Sequence, residues 1–272
     1  MSDLLREYEL KRGHANRHLN DLRKEVERIS AATPEPVRGE FDAVQSRYTF
    51  RPPVDPLDPT LALLVGDVAH CLRAAVNYLV TALVRSTGQE EDRWTEFPIY
   101  GIDLEPGKPR YWREIDNLWE TDSRGRIAAM LARTPSGTKD ALKPLQPFFG
   151  VPRTDPVRHP LFQLQQLSNT DKHRRLNLLV RGAEIVFVDS SGAPIYPGRP
   201  HRARVVETEV GGRYVVALNV TTDEQPREIF LAARYDVLLI EPPELSGNLL
   251  ATLNRICNYI DTRVKPAVRE LL

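Results

Sequence analysis

The sequence predicts an α+β protein, a long-helix bundle with an inserted antiparallel β-meander. Three observations carry that expectation. Apolar residues recur at helical spacing at the start, middle and end of the chain. Between residues 183 and 241 the composition shifts to valine, isoleucine and tyrosine in runs broken by turn residues. The last helix must return to the other two, so the meander reads as an insertion within a single domain spanning 1–272.

Residues 3–32 form the first predicted helix, with Leu4, Leu5, Tyr8, Leu19, Leu22, Val26 and Ile29 as an interrupted apolar stripe. The run AATPEP ends it. FDAVQSRYTF, residues 41–50, alternates as a short strand, and RPPVDPLDPT is a stiff connector. Asp58 before Pro59 is a good N-cap with proline in the first turn, so the second helix is expected over 59–87, stopping near Gly88. Residues 89–160 are irregular. Within them Tyr111, Trp112, Leu118 and Trp119 suggest a helix or packed loop, and Ile127 to Ala132 a helical turn or two. From Pro160, PLFQLQQLSNTDKHRRLNLLV reads as a helix running into a strand. AEIVFV, ARVVETEV, RYVVALNV and EIFLAARYDVLLIE are the four strands of the 183–241 meander, with Gly211-Gly212 as a hairpin signal. The closing helix, 245–271, repeats Leu249, Leu253, Ile256, Ile260 and Val264, and Pro266 is placed to kink it.

Composition narrows the function classes. Lys+Arg and Asp+Glu are both 37, so the formal net charge is zero and broad charge-driven binding to nucleic acid is disfavoured. Two cysteines, both in apolar helical patterns, exclude a disulfide framework. The N-terminus lacks the apolar run of a signal peptide. Leu61 to Val84 is long enough to span a bilayer, but Asp67, His70 and Arg73 fall near its middle, where charge is costly. A cytoplasmic protein without a membrane partner is expected.

Three segments could carry chemistry. In GDVAHCLRAAVNYLV, Asp67, His70, Asn77 and Thr81 recur at intervals of three, seven and four, with Arg73 beside them. Asp67 could fix the tautomer of His70, and Arg73 suits a carboxylate or phosphate. The plain alternative is an internal ion network that fixes bundle register. In LSNTDKHRRL, His173 could move protons, while Asn169, Asp171, Lys172 and Arg174 could hold a ligand; the alternative is a solvated helix end. In His14-Ala-Asn-Arg-His18 two histidines stand four apart, a spacing compatible with one metal, but the glutamate of the zinc-protease pattern is missing. No metal site is assigned and no cofactor is expected. Phosphate-binding glycine loops, dinucleotide fingerprints, nucleophile elbows and paired CxxC motifs are all absent from the sequence.

GDVAHCLRAAVNYLV followed by FPIY, LQPFF and HPLFQLQQLSNTDKHRRL resembles an uncharacterised bacterial family common in actinobacteria, whose members carry GDxxHxLRxAxxxLV and LSNxDKHR. The resemblance covers most of the chain and matches Gly66, Asp67, His70, Leu72, Arg73, Asn169, Asp171, Lys172, His173 and Arg174. Members often have an acidic residue and a histidine where this chain has Asn77 and Tyr78. A slighter resemblance is to HEPN-type helical ribonucleases, in which an arginine and a histidine four to six residues later face their counterparts across a dimer and cleave RNA without metal. Here Tyr78 stands where that histidine belongs, and Ala74 where a polar residue is frequent, so the resemblance implies either that His70 or His173 supplies the base or that the activity is lost.

Three readings follow. One is a metal-independent endoribonuclease of HEPN-like type, with Arg73 on the phosphate, His70 or His173 moving protons and Asp67 orienting His70. Another is a non-catalytic helical module for an anionic ligand or partner protein. The third is a metal-dependent hydrolase using Asp67, His70, Asp171 and His173, with His18 as a further candidate ligand. RNA or another anion is the expected partner, together with a second copy of the chain, since long apolar helix faces often pair.

Overall fold

The structure, a computed structural model, describes residues 3–31, 36–44, 47–50, 59–99, 119–122, 125–149, 158–173, 178–188, 190–191, 206–210, 213–219, 228–239 and 247–272. It is an α+β fold dominated by helices. Its elements in order are α1 (Arg6–Ala31), β1 (Val37–Arg38), β2 (Glu40–Asp42), β3 (Arg47–Phe50), α2 (Pro59–Ser86), α3 (Arg126–Leu131) and α4 (Thr138–Leu142), which continues into a 3₁₀ turn (Lys143–Leu145). Then come α5 (Pro160–His173), β4 (Leu178–Val188), β5 (Val206–Val210), β6 (Arg213–Asn219), β7 (Phe230–Leu239), a two-residue strand β8 (Gly247–Asn248) and α6 (Leu249–Tyr259). A π turn (Ile260–Val264) leads into α7 (Lys265–Arg269).

The chain divides into two compact units, one of residues 1–23, 59–178 and 239–272, the other of 24–58 and 179–238. The first is helical. Here α2 packs on α5 and α7, and α5 on α6. One side of the long apolar run is buried along its length: Leu61, Val65, Leu72, Leu79 and Leu83 have no exposed surface, while Leu63 faces solvent. Alone among the described helices, α2 is long and apolar enough to cross a membrane. Its apolarity is matched by packing inside this unit. It begins at Pro59 and ends where Gly88 adopts φ +75°, the left-handed geometry glycine takes without strain. The expected N-cap Asp58, and Tyr111, Trp112 and Leu118, lie outside the described residues; Trp119 is described and fully buried.

The second unit holds the expected strands, divided between two sheets. In one, β7 lies between β1 and β4; in the other the order is β2-β3-β6-β5. Within 41–50 the described residues form parts of two strands, β2 and β3, rather than one; they pair antiparallel with Phe41 opposite Tyr48. At the end of β2 the Asp42 carboxylate accepts a hydrogen bond from the Val44 N–H at 2.9 Å, an Asx turn. β3 then pairs antiparallel with β6, Tyr48 opposite Leu218, and β5 with β6, Val210 opposite Arg213. Gly39 lets the chain pass under Phe50, since a Cβ there would stand 2.6 Å from that ring.

Candidate functional site

The polar residues of α2 separate into two groups. Arg73 is only 8 % exposed, and both Nη groups of its guanidinium have partners. Nη2 lies 2.7 Å from Glu96 Oε1, and Nη1 donates to the Phe97 carbonyl at 3.0 Å. Burial pulls the Arg73 pKa down against the supporting charge of Glu96. One turn on, Asn77 Oδ1 accepts from the Phe97 N–H at 3.1 Å. Together they clamp the segment before Pro98, and fully buried Gln146 donates to the Pro98 carbonyl at 3.0 Å. Thr81 is buried in the same helix.

Asp67 and His70 lie on the opposite edge of the stripe, exposed. Asp67 Oδ2 is 3.9 Å from Nδ1 of His18 on α1. His14 is exposed one turn earlier, and Arg17, burial, Lys11 and His18, in that order, lower its pKa. On the α2 side Cys71 is buried, which raises its thiol pKa; the charges of Lys11, Asp67 and Arg17 reach it. Lys11, His14, Arg17 and His18 of α1, with Asp67 and His70 of α2, thus form one mixed but predominantly basic face.

The stretch LSNTDKH ends α5. Asn169 is exposed and its Oδ1 accepts from Gln165 Nε2 at 3.2 Å. Asp171, Lys172 and His173 are the last three residues of α5; their side chains, and Arg174 altogether, lie outside the described residues. Among the described residues, no group of three or more His, Cys, Asp or Glu side chains is placed to hold a metal ion.

The structure adds two polar clusters that the sequence reading passed over. His159, 7 % exposed, sits just before Pro160. Its Nδ1 accepts the Leu161 N–H at 3.3 Å, so the proton of the neutral ring is on Nε2. That nitrogen lies 3.2 Å from Tyr259 Oη, which in turn donates to the Leu145 carbonyl at 3.1 Å. Burial pushes His159 down to about 4 and Tyr259 up to about 12. A histidine preceding a helix-opening proline was the available signal, since the N-cap can be any short-range acceptor. In the second cluster Asp261 accepts from Tyr8 Oη at 2.9 Å, Arg12 Nε at 3.1 Å and Arg12 Nη2 at 2.7 Å. Burial and then Asp261 raise the Tyr8 pKa. No sequence signal marked this pair, whose members lie 249 residues apart.

No family model, curated protein or solved structure matches this chain, so the site is read from its own chemistry.

Proposed function

We propose that this protein is a non-catalytic helical module that holds an anionic ligand on the exposed face of α1 and α2. The observation that carries this reading is the division of the α2 stripe. Arg73, the best phosphate binder on α2, is committed to Glu96 and Phe97. Apart from it stand Lys11 and His18, half-buried, and His14 and Arg17, exposed, with His70 on α2 and the Asp67 carboxylate 3.9 Å from His18. A buried guanidinium already paired with a carboxylate and a carbonyl meets a phosphate only at a cost in desolvation, whereas a basic cluster open to solvent attracts anions at small cost.

A second reading, a metal-independent ribonuclease of HEPN type, draws on the exposure of His70, which leaves that ring free to move a proton. One experiment separates the two. Fluorescein-labelled single-stranded RNA and labelled dextran sulfate are titrated with the protein in excess chelator, and the RNA is then sized on a gel. The module reading expects both anions bound, the RNA intact, and affinity about tenfold weaker in the double variant Lys11→Gln, Arg17→Gln. RNA cut by the wild type but not by His70→Ala replaces it with the nuclease. Binding of neither anion, or equal binding by the double variant, overturns it.

A further inference from the structure

Resting on that reading, we propose that the group recognised on the α1–α2 face is a terminal phosphate, taken up together with protons on His14 and His18. From Leu10 to Asn20 the first helix contains no Asp or Glu, although the whole chain is neutral. Of the basic residues in that span, Arg12 is turned to Asp261. The rest fall on neighbouring positions: Lys11, His14 and Arg17 are spaced by three, and His18 is four beyond His14. Across the seam, α2 contributes Asp67, His70 and the buried thiol of Cys71; Asp21 lies one turn beyond His18.

The permanent charges of this face, Lys11 and Arg17 against Asp67 and Asp21, sum to zero. That falls short of the charge of about −1.5 to −2 that a terminal phosphate carries near neutral pH. Protons on the His14 and His18 rings supply the difference: Arg17 foremost holds the His14 pKa down in the free protein, and a bound dianion offsets that charge. Without a ligand the cations of this face oppose one another. A dianion relieves that opposition and draws protons onto the rings.

Gly13 is an independent observation. Glycine inside a helix is unfavourable relative to alanine. Here nothing lies within 4 Å of where a Cβ would stand, so packing does not require it. Its bare backbone lies beside His14 and one turn before Arg17, where it lets a ligand approach the helix closely. Gly13→Leu is therefore expected to raise the melting temperature while weakening ligand binding, two effects of opposite sign that no purely structural role produces.

The test is calorimetric titration with inorganic pyrophosphate, a nucleoside 5′-monophosphate and vesicles containing phosphatidic acid, each at about pH 6 and about pH 8. Dextran sulfate serves as the non-phosphate anion. The expected result is phosphate binding about tenfold tighter at the lower pH. Its pH dependence should be flattened in His14→Gln, His18→Gln and its affinity lowered in Gly13→Leu. Binding of the soluble phosphates identifies a free ester or phosphate as the source; binding of the vesicles alone identifies a lipid headgroup. Dextran sulfate bound while all three phosphate probes fail overturns the phosphate assignment and leaves the binding module standing. A pH dependence that survives the double histidine variant overturns proton uptake. Failure of every anion removes the underlying reading itself.

Discussion

Two buried residues show how single side chains set the conditions under which this molecule holds together. His159 is neutral in the fold, with a pKa near 4 against an ordinary value of 6.5. The unfolded chain therefore takes up the proton first as the pH falls. The contribution of His159 is fully present above about pH 6.5 and is lost as the pH drops towards 4. A shift of that size corresponds to about 3 kcal/mol. Urea midpoints measured between these limits should fall with acid in the wild type. His159→Asn keeps an N-cap acceptor and should flatten that slope; an unchanged slope would show that other groups govern acid stability. Arg73 and Asn77 make a parallel case for hydrogen bonding. Asn77→Ala leaves the Phe97 N–H without its acceptor, and Arg73→Met removes both the ion pair with Glu96 and the bond to the Phe97 carbonyl. Thermal or urea unfolding should show losses of about 1–3 kcal/mol for the first and about 3–5 kcal/mol for the second. A loss below about 0.5 kcal/mol in both would mean that the 96–98 segment holds itself.

Among the elements, the break in the C-terminal helix is the most informative. Pro266 cannot donate a backbone hydrogen bond to residue 262, and its ring crowds that carbonyl. Thr262 Oγ1 donates back to the Asn258 carbonyl at 2.7 Å, which loosens the turn further. The helix answers with the wide turn Ile260–Val264 and then resumes. Asp261 lies in that turn, facing Tyr8 and Arg12 on α1. Its side chain is 42 % exposed, so solvent screening limits what the charge pair contributes. The hydrogen bonds remain, and Asp261→Ala should cost about 1–3 kcal/mol, measured by chemical denaturation. Pro266→Ala should relax the turn towards α-helical geometry, visible as altered amide exchange over 260–264. Unchanged exchange would indicate that the Tyr8–Arg12–Asp261 contacts, and not the proline, hold the turn open.

For the molecule as a whole, the helices and strands were largely legible because each rests on local periodicity and punctuation. Pro59, Gly88 and Pro160 bracket helices as their chemistry requires. The pairing of β5 with β6 was legible as a hairpin, but the distant pairings were not: β3 joins β6 across more than a hundred residues, and no local pattern encodes that choice. The site was legible in composition and less so in orientation. Asp67 and Arg73 fall in one polar stripe, but six residues at helical pitch turn the second about 120° from the first. That rotation separates an exposed carboxylate from a buried guanidinium. Asp261 has no local signature because its partners are distant in sequence, whereas His159 is marked locally only by its place before Pro160. The pairing of α1 with the π turn also bears on biosynthesis. Arg12 is made 249 residues before Asp261, which at about 5–20 residues per second is a delay of roughly 10–50 s on the ribosome. Throughout that interval Tyr8, later fully sheltered, has no Asp261 to hold, and the first helix waits for the turn that anchors it.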